Sequence, residues 1–180
     1  STLSRNLQIR FLRPVLGRAD VEVVVRSGSL GDLLQGLEAH RLDVILTNTL
    51  PARDSATPWI AHPVSDQPVS LVGTPARARA GADIAALLAR EPVILPTPET
   101  GIRAAFDALM DRLGVRPRIA AEVDDMAMLR LLAREDAGLA VVPPIVVRDE
   151  LASGRLVEAA RLPDLQESFF ALSPKRRFPN

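Results

Sequence analysis

Cysteine and tyrosine are absent from the 180 residues, tryptophan occurs once and phenylalanine five times. Without a thiol there is no disulfide framework, no thiolate zinc site and no cysteine nucleophile, a composition suited to a reducing compartment, and we expect the cytoplasm. With so few aromatics, any core must be aliphatic. An excess of one charge is missing too: 22 Lys+Arg stand against 22 Asp+Glu, with Lys175 the single lysine. Phosphate binding needs a concentrated excess of basic side chains, so DNA binding by this segment itself is disfavoured. No apolar run is long enough to span a bilayer, since the longest, Ala137 to Val147, is broken by Pro143 and Pro144. No signal-peptide pattern opens the sequence, and a membrane partner is not expected.

What is present is an apolar content of 47%, enough for a real core, over a length that allows one ordinary domain or two small lobes. Apolar runs of strand length alternate with segments of helical period, the pattern of an α/β fold with a mainly parallel sheet flanked by helices. Strands are expected at Val21 to Arg26, Asp43 to Thr47, Pro68 to Thr74, Pro92 to Pro96, Arg118 to Val123, Gly138 to Val142, Arg155 to Glu158 and Ser168 to Ser173. Between them, Leu3, Leu7, Phe11, Leu12 and Val15 recur at helical spacing. Leu30, Leu33, Leu34 and Leu37 do the same, as do Ile102, Ala105, Phe106, Leu109 and Leu113, with Gly114 placed to end that helix. A further stripe, Met126, Leu129, Leu132 and Ala133, follows Asp124 and Asp125, and Ile145 to Ala152 follows two prolines suited to a first helical turn. The stretch from Leu50 to Gln67, with three prolines inside it, reads as an irregular connection towards a second lobe, with a boundary near Leu71. Arg77 to Ala86 reads as a turn entering a short helix.

Catalytic patterns are poor. His40 falls at an expected helix end and His62 in a proline-rich loop, and neither has metal-ligand spacing or a nucleophile-elbow serine nearby. Surface or helix-capping histidines are the ordinary case. The cluster at Gly28 to Leu34 lacks the third glycine of a dinucleotide fingerprint. No catalytic residue, metal ligand or cofactor is assigned.

What recurs is a small oxygen-bearing residue where a strand yields to a helix. Ser1 or Thr2 opens the first helix, Ser29 with Asp32 three residues on opens the second, Thr97 and Thr100 flank a third, and Asp124 or Asp125 opens a fourth. Any helix gains from such a cap, so one instance by itself is structural. Several at one sheet edge imply a cleft for a small polar ligand, with anions favoured by helix starts. Asp124 and Asp125 pull the other way, towards an amine or a hard cation. The residues leave both open.

The stretch VEVVVRSGSLGDLLQGLEAHRLDVILTN resembles the first lobe of the effector-binding domain of LysR-type transcriptional regulators, and AGLAVVPPIVVRDELASGRLVEA resembles the second. The pair Leu42–Asp43 opening a strand, and Gly138–Leu139 leading to Pro143, carry the likeness. Within the family, STLSRNLQIRFLRPVL, LEAHRLDVILTN, VILPTPETGIRAAFDALMDRLGV and EVDDMAMLRLL resemble the NhaR-like branch, which regulates sodium/proton antiporter expression. The resemblance implies two lobes of periplasmic-binding-protein type II kind joined by two crossover segments, near Val69 to Thr74 and Leu162 to Phe170. Lobe one would be residues 1–71 plus 168–180, without the family's first strand and last helix, and lobe two residues 72–167. A small-molecule or ion effector would bind between them, contacting Thr2, Ser29, Thr97, Thr100, Asp124 and Asp125. In the NhaR-like reading the acidic pair, with hydroxyls such as Ser29 and Thr97, would sense a cation; helix capping and organic-ligand recognition are the competing roles of the same residues. DNA would be reached only through an N-terminal domain outside this chain, in a homodimer or tetramer. A free-standing solute receptor of a transport system and an enzyme on the same fold are the rival readings, the latter weakened by the missing catalytic constellation.

Overall fold

The computed structural model describes residues 3–52, 57–78 and 83–175. These divide into two compact units, the first made of residues 8–66 with 168–175 and the second of residues 3–7 with 67–167. The chain passes between units inside α1 (Arg5–Leu12), β2 (Trp59–Gly73) and β6 (Val157–Pro174).

In the second unit the chain runs through α3 (Ile84–Arg90), β3 (Val93–Pro96), α4 (Gly101–Leu113), β4 (Ile119–Val123), α5 (Met126–Arg134), β5 (Leu139–Val142), a 3-10 turn (Pro144–Val147) and α6 (Arg148–Ala152). Strand β3 lies between β4 and β5 and is parallel to both, while the end of β2 pairs antiparallel with β5, Leu71 opposite Val141. Every residue of β3 and β5 is buried, which explains why both read as unbroken apolar runs rather than alternating ones. Helices α4 and α5 pack against β3. The stripe Ile102, Phe106, Leu109 and Met110 forms the buried face of α4, and the helix ends at Gly114, whose φ of +64° is the left-handed cap expected of glycine there.

Close approach fixes a second glycine. A Cβ on Gly138 would stand 2.7 Å from the carbonyl oxygen of Pro92, the atom that accepts the Leu139 N–H at 2.8 Å. Beside it, Asp136 adopts φ +57° and takes Arg77 in a two-pronged pair through Nε (3.1 Å) and Nη2 (2.9 Å), with Thr74 Oγ1 donating to the same carboxylate. Arg77 also reaches Glu91 at 2.7 Å, so one guanidinium joins the end of β2, the end of α3 and the turn before β5.

The first unit contains the rest of α1, α2 (Leu30–Glu38), β1 (Ile45–Thr47) and the outer parts of β2 and β6. Strand β1 pairs antiparallel with β6, Leu46 opposite Ala171. Its core is small: Leu37, Ile45, Trp59 and Leu172, with Leu33, Leu34, Leu42 and Ala61 packed on them.

Three expectations change. Residues 21–26 form no strand, and Val21, Val24 and Val25 are 38%, 66% and 58% exposed. β-Branched residues supply propensity only; a strand needs a neighbour for its N–H and C=O groups, and no described strand pairs with this segment. Residues 59–67, read as irregular, belong to β2, because proline removes a donor but keeps a φ that extended backbone accepts. The segment expected at 168–173 and the end of the one expected at 155–158 are parts of the single strand β6, within which Asp164 takes φ +62°.

Candidate functional site

Because β3, β4 and β5 are parallel, their C-terminal ends share one edge of the second unit, and the chain leaves each into a helical turn. The Thr97 N–H donates to Val123 O at 3.2 Å, tying the exits of β3 and β4 together. Thr100 caps α4: its Oγ1 accepts from the Arg103 N–H at 3.3 Å and donates to Thr97 O at 3.0 Å. Asp125 caps α5, with Oδ1 accepting from the Ala127 N–H at 2.9 Å. Asp124 precedes it and is exposed. Four expected site residues, Thr97, Thr100, Asp124 and Asp125, therefore share this edge.

Ser29 lies in the first unit and caps α2. Its Oγ accepts from the Asp32 N–H at 3.1 Å and donates to Asp32 Oδ2 at 2.6 Å, so the serine half of the capping box read from the sequence forms and the Asp32 carboxylate takes the serine hydroxyl. Thr2 lies outside the described residues. Helix α1 opens at Arg5 rather than beside Ser1 or Thr2, and Ser4 Oγ accepts from the Leu7 N–H at 3.5 Å. Leu7 is the first residue of the 3.6-residue stripe to be buried, which places the cap just ahead of it.

Three charged residues at the edge were not singled out from the sequence. The Glu99 carboxyl is held below its usual range by its own backbone N–H and by the Thr97 hydroxyl. Arg103, its side chain 13% exposed, reaches Glu122 and Pro96 O with Nη1 and Asp107 with Nε. The i,i+4 spacing of Arg103 and Asp107 was a usable signal; the approach of Glu122, from the neighbouring strand, had none.

The edge offers backbone N–H groups at the starts of α4 and α5, acceptor oxygens on Thr97 and Thr100, the carboxylates of Glu99, Asp124 and Asp125, and Arg103 paired with Glu122 and Asp107. Such a set can hydrogen-bond a small polar molecule. The histidines are elsewhere: His40 is exposed with φ +54° after α2, and His62 lies in β2 instead of a loop, its Nε2 2.9 Å from Ser173 Oγ in an exposed cross-strand pair. Among the described residues no group of three or more His, Asp or Glu side chains is placed to hold a metal ion, and no helix is long and apolar enough to cross a membrane.

A family model for the LysR substrate binding domain matches residues 10–180. The chain belongs to that family. Solved structures agree on the fold: VV2_1132, a LysR family transcriptional regulator, superposes with a TM-score of 0.71 at 18% identity, over 98% of this chain and 61% of that one. The regulatory domain of HypT from Salmonella typhimurium, in its apo form, gives 0.66 at 14% identity, over 98% of this chain and 84% of that one. The effector binding domain of QuiR in complex with shikimate gives 0.64 at 18% identity, over 96% and 81%. The chain thus spans about three fifths of the length of the VV2_1132 regulator. No curated protein matches the sequence significantly. At these identities the structures speak for an open mixed α/β sheet with flanking helices, and the family model names the domain.

Proposed function

We propose that this LysR substrate-binding domain senses a small effector for a transcriptional regulator of the LysR type, as a binding module and not an enzyme. The family match over residues 10–180 carries the reading. The gathering of Thr97, Thr100, Asp124 and Asp125 at one sheet edge supports it, as does the same device at Ser29 in the first unit. In this proposal the effector engages both units, at these residues and at Thr2, and favours one arrangement of the lobes. Only a difference in affinity between arrangements can transmit the signal, since a ligand that binds both equally shifts nothing. DNA binding belongs to a domain outside this chain, and the working compartment is the cytoplasm.

A thermal-shift screen with organic acids, amines, and sodium and lithium salts identifies the effector class, because a ligand selective for the folded state raises its stability. Calorimetry on Ser29→Ala and Thr97→Ala then tests the site. Each lost hydrogen bond weakens binding by roughly five- to tenfold. Unchanged affinity in both variants removes this site from the proposal.

The NhaR-like branch is the finer form of the proposal, supported by EVDDMAMLRLL and by the acidic character of the edge. It predicts that lithium or sodium, and not potassium, raises the melting temperature, and that Asp124→Asn abolishes the shift. The proposed homodimer draws support from the exposed Val24 and Val25 of the first unit and from Ile119, 45% exposed on β4, an edge strand of the sheet order. Ile119→Lys is expected to shift sedimentation towards monomer; an unaltered profile places the interface elsewhere.

A further inference from the structure

The start of α1 carries two buried polar side chains outside the proposed effector site, Ser4 just before the helix and Asn6 in its first turn. Ser4 is 3% exposed and supplies the helix cap, whereas Asn6, 6% exposed, points its amide away from its own helix. Asn6 Nδ2 donates to Ile145 O at 2.9 Å and reaches Val146 O at 3.5 Å, across 139 and 140 residues of sequence. Both carbonyls belong to the 3-10 turn that follows Pro143 at the end of β5, on the edge where Thr97 and Asp125 stand.

Two physical facts make this contact more than packing. A helix of 8 residues is too short to persist alone, so α1 is helical only while something holds it. The first turn buries Leu7, 3% exposed, and the Asn6 amide, whereas Ile9 is 53% exposed. An apolar side chain at position 6 would supply contact without direction. An amide in a buried site costs free energy unless bonded, so it selects the one seat where a carbonyl meets it.

We infer that α1 is a latch: its first turn docks on the 3-10 turn after β5, opens and recloses as a local unit, and Asn6 is the positioning residue that sets its seat. The opening is local because neither Leu7 nor Asn6 belongs to the apolar cluster that contains β3 and β5. The inference does not depend on an effector. If the proposed sensing site proves wrong, the latch still stands or falls on its own test.

Native-state amide exchange by mass spectrometry on the unmodified chain provides that test. Exchange of residues 5–12 is expected to be insensitive to sub-denaturing urea, while that of residues 93–96 and 139–142 accelerates with urea as unfolding does. Equal urea slopes overturn the latch. Asn6→Leu, of similar size and without a donor, is expected to speed exchange of residues 5–12 by about fivefold and leave residues 93–96 and 139–142 unchanged. No acceleration, or equal acceleration in all three segments, makes Asn6 an ordinary packing residue and sinks the proposal. Asn6→Ala, smaller and free of overpacking, gives the same reading if the leucine variant does not fold.

Discussion

At the scale of single residues, the candidate site owes its arrangement to helix caps. Ser29, Thr100 and Asp125 each satisfy an N–H at a helix start, so removing any of them changes stability, whatever its part in the proposed recognition. Thr100→Ala is expected to cost about 1 kcal/mol in urea unfolding even without ligand, and Thr100→Ser, which keeps both hydrogen bonds, close to nothing. Away from the site, Asp136 offers a cleaner electrostatic test. Its carboxyl is held below the usual range by Arg77 first and by the Thr74 hydroxyl second. A carboxyl whose folded pKa is depressed stabilises above its unfolded pKa and loses that contribution as pH falls through the folded value. Asp136→Asn keeps the shape and tolerates the left-handed backbone, but removes the charge. The half-exposed pair is screened, so the variant should lose only about 1 kcal/mol at neutral pH. The difference should shrink as pH falls from the ordinary carboxylate range, about 3.9, through the lower folded value, where the wild-type carboxyl becomes protonated in both states. A difference independent of pH in urea titrations would assign the loss to packing instead.

At the scale of elements, the sequence announces whatever is set by local periodicity and hides whatever depends on a partner. The stripe ending at Gly114 gave α4 to its cap, and the buried strands β3 and β5 read directly as apolar runs. The segment 21–26 has the same β-branched composition and forms no ladder, because pairing is a property of two segments and only one carries the signal. Residues 59–67 erred in the opposite direction: prolines mark turns on average, yet Pro63 sits inside β2. Among site residues, the cap positions were legible from residue type and spacing, whereas Glu122 beside Arg103 required knowing that β3 and β4 are neighbours. Gly138 shows the same limit. Its neighbour Leu139 fits a strand pattern, but nothing local reveals that Pro92 O lies where a side chain would go. Gly138→Ala must displace backbone, not a flexible side chain, and is expected to cost about 2 kcal/mol, read as a lower urea midpoint with unchanged slope.

For the molecule as a whole, the two units differ in what holds them. The second has a continuous core running from Val69 through Phe106 and Leu139 to Leu165, while the first relies on Leu37, Ile45, Trp59 and Leu172 and leaves Val24 and Val25 in water. Apolar burial is worth roughly 25 cal/mol per Å², so the smaller core confers less resistance to opening. The composition supplies a reporter for this asymmetry. Trp59 is the sole tryptophan and lies in the weaker core, and tyrosine is absent, so fluorescence reports the first unit while far-ultraviolet circular dichroism is dominated by the helices of the second. Unfolding in urea should therefore show a lower midpoint by fluorescence than by dichroism, a departure from two-state behaviour. Phe106→Ala, which empties the centre of the second core at a cost of about 3 to 5 kcal/mol, should lower the dichroism midpoint and bring the two curves together. Coincident curves in the wild type would mean that the small core borrows its stability from the large one, and the variant would then move both curves by the same amount.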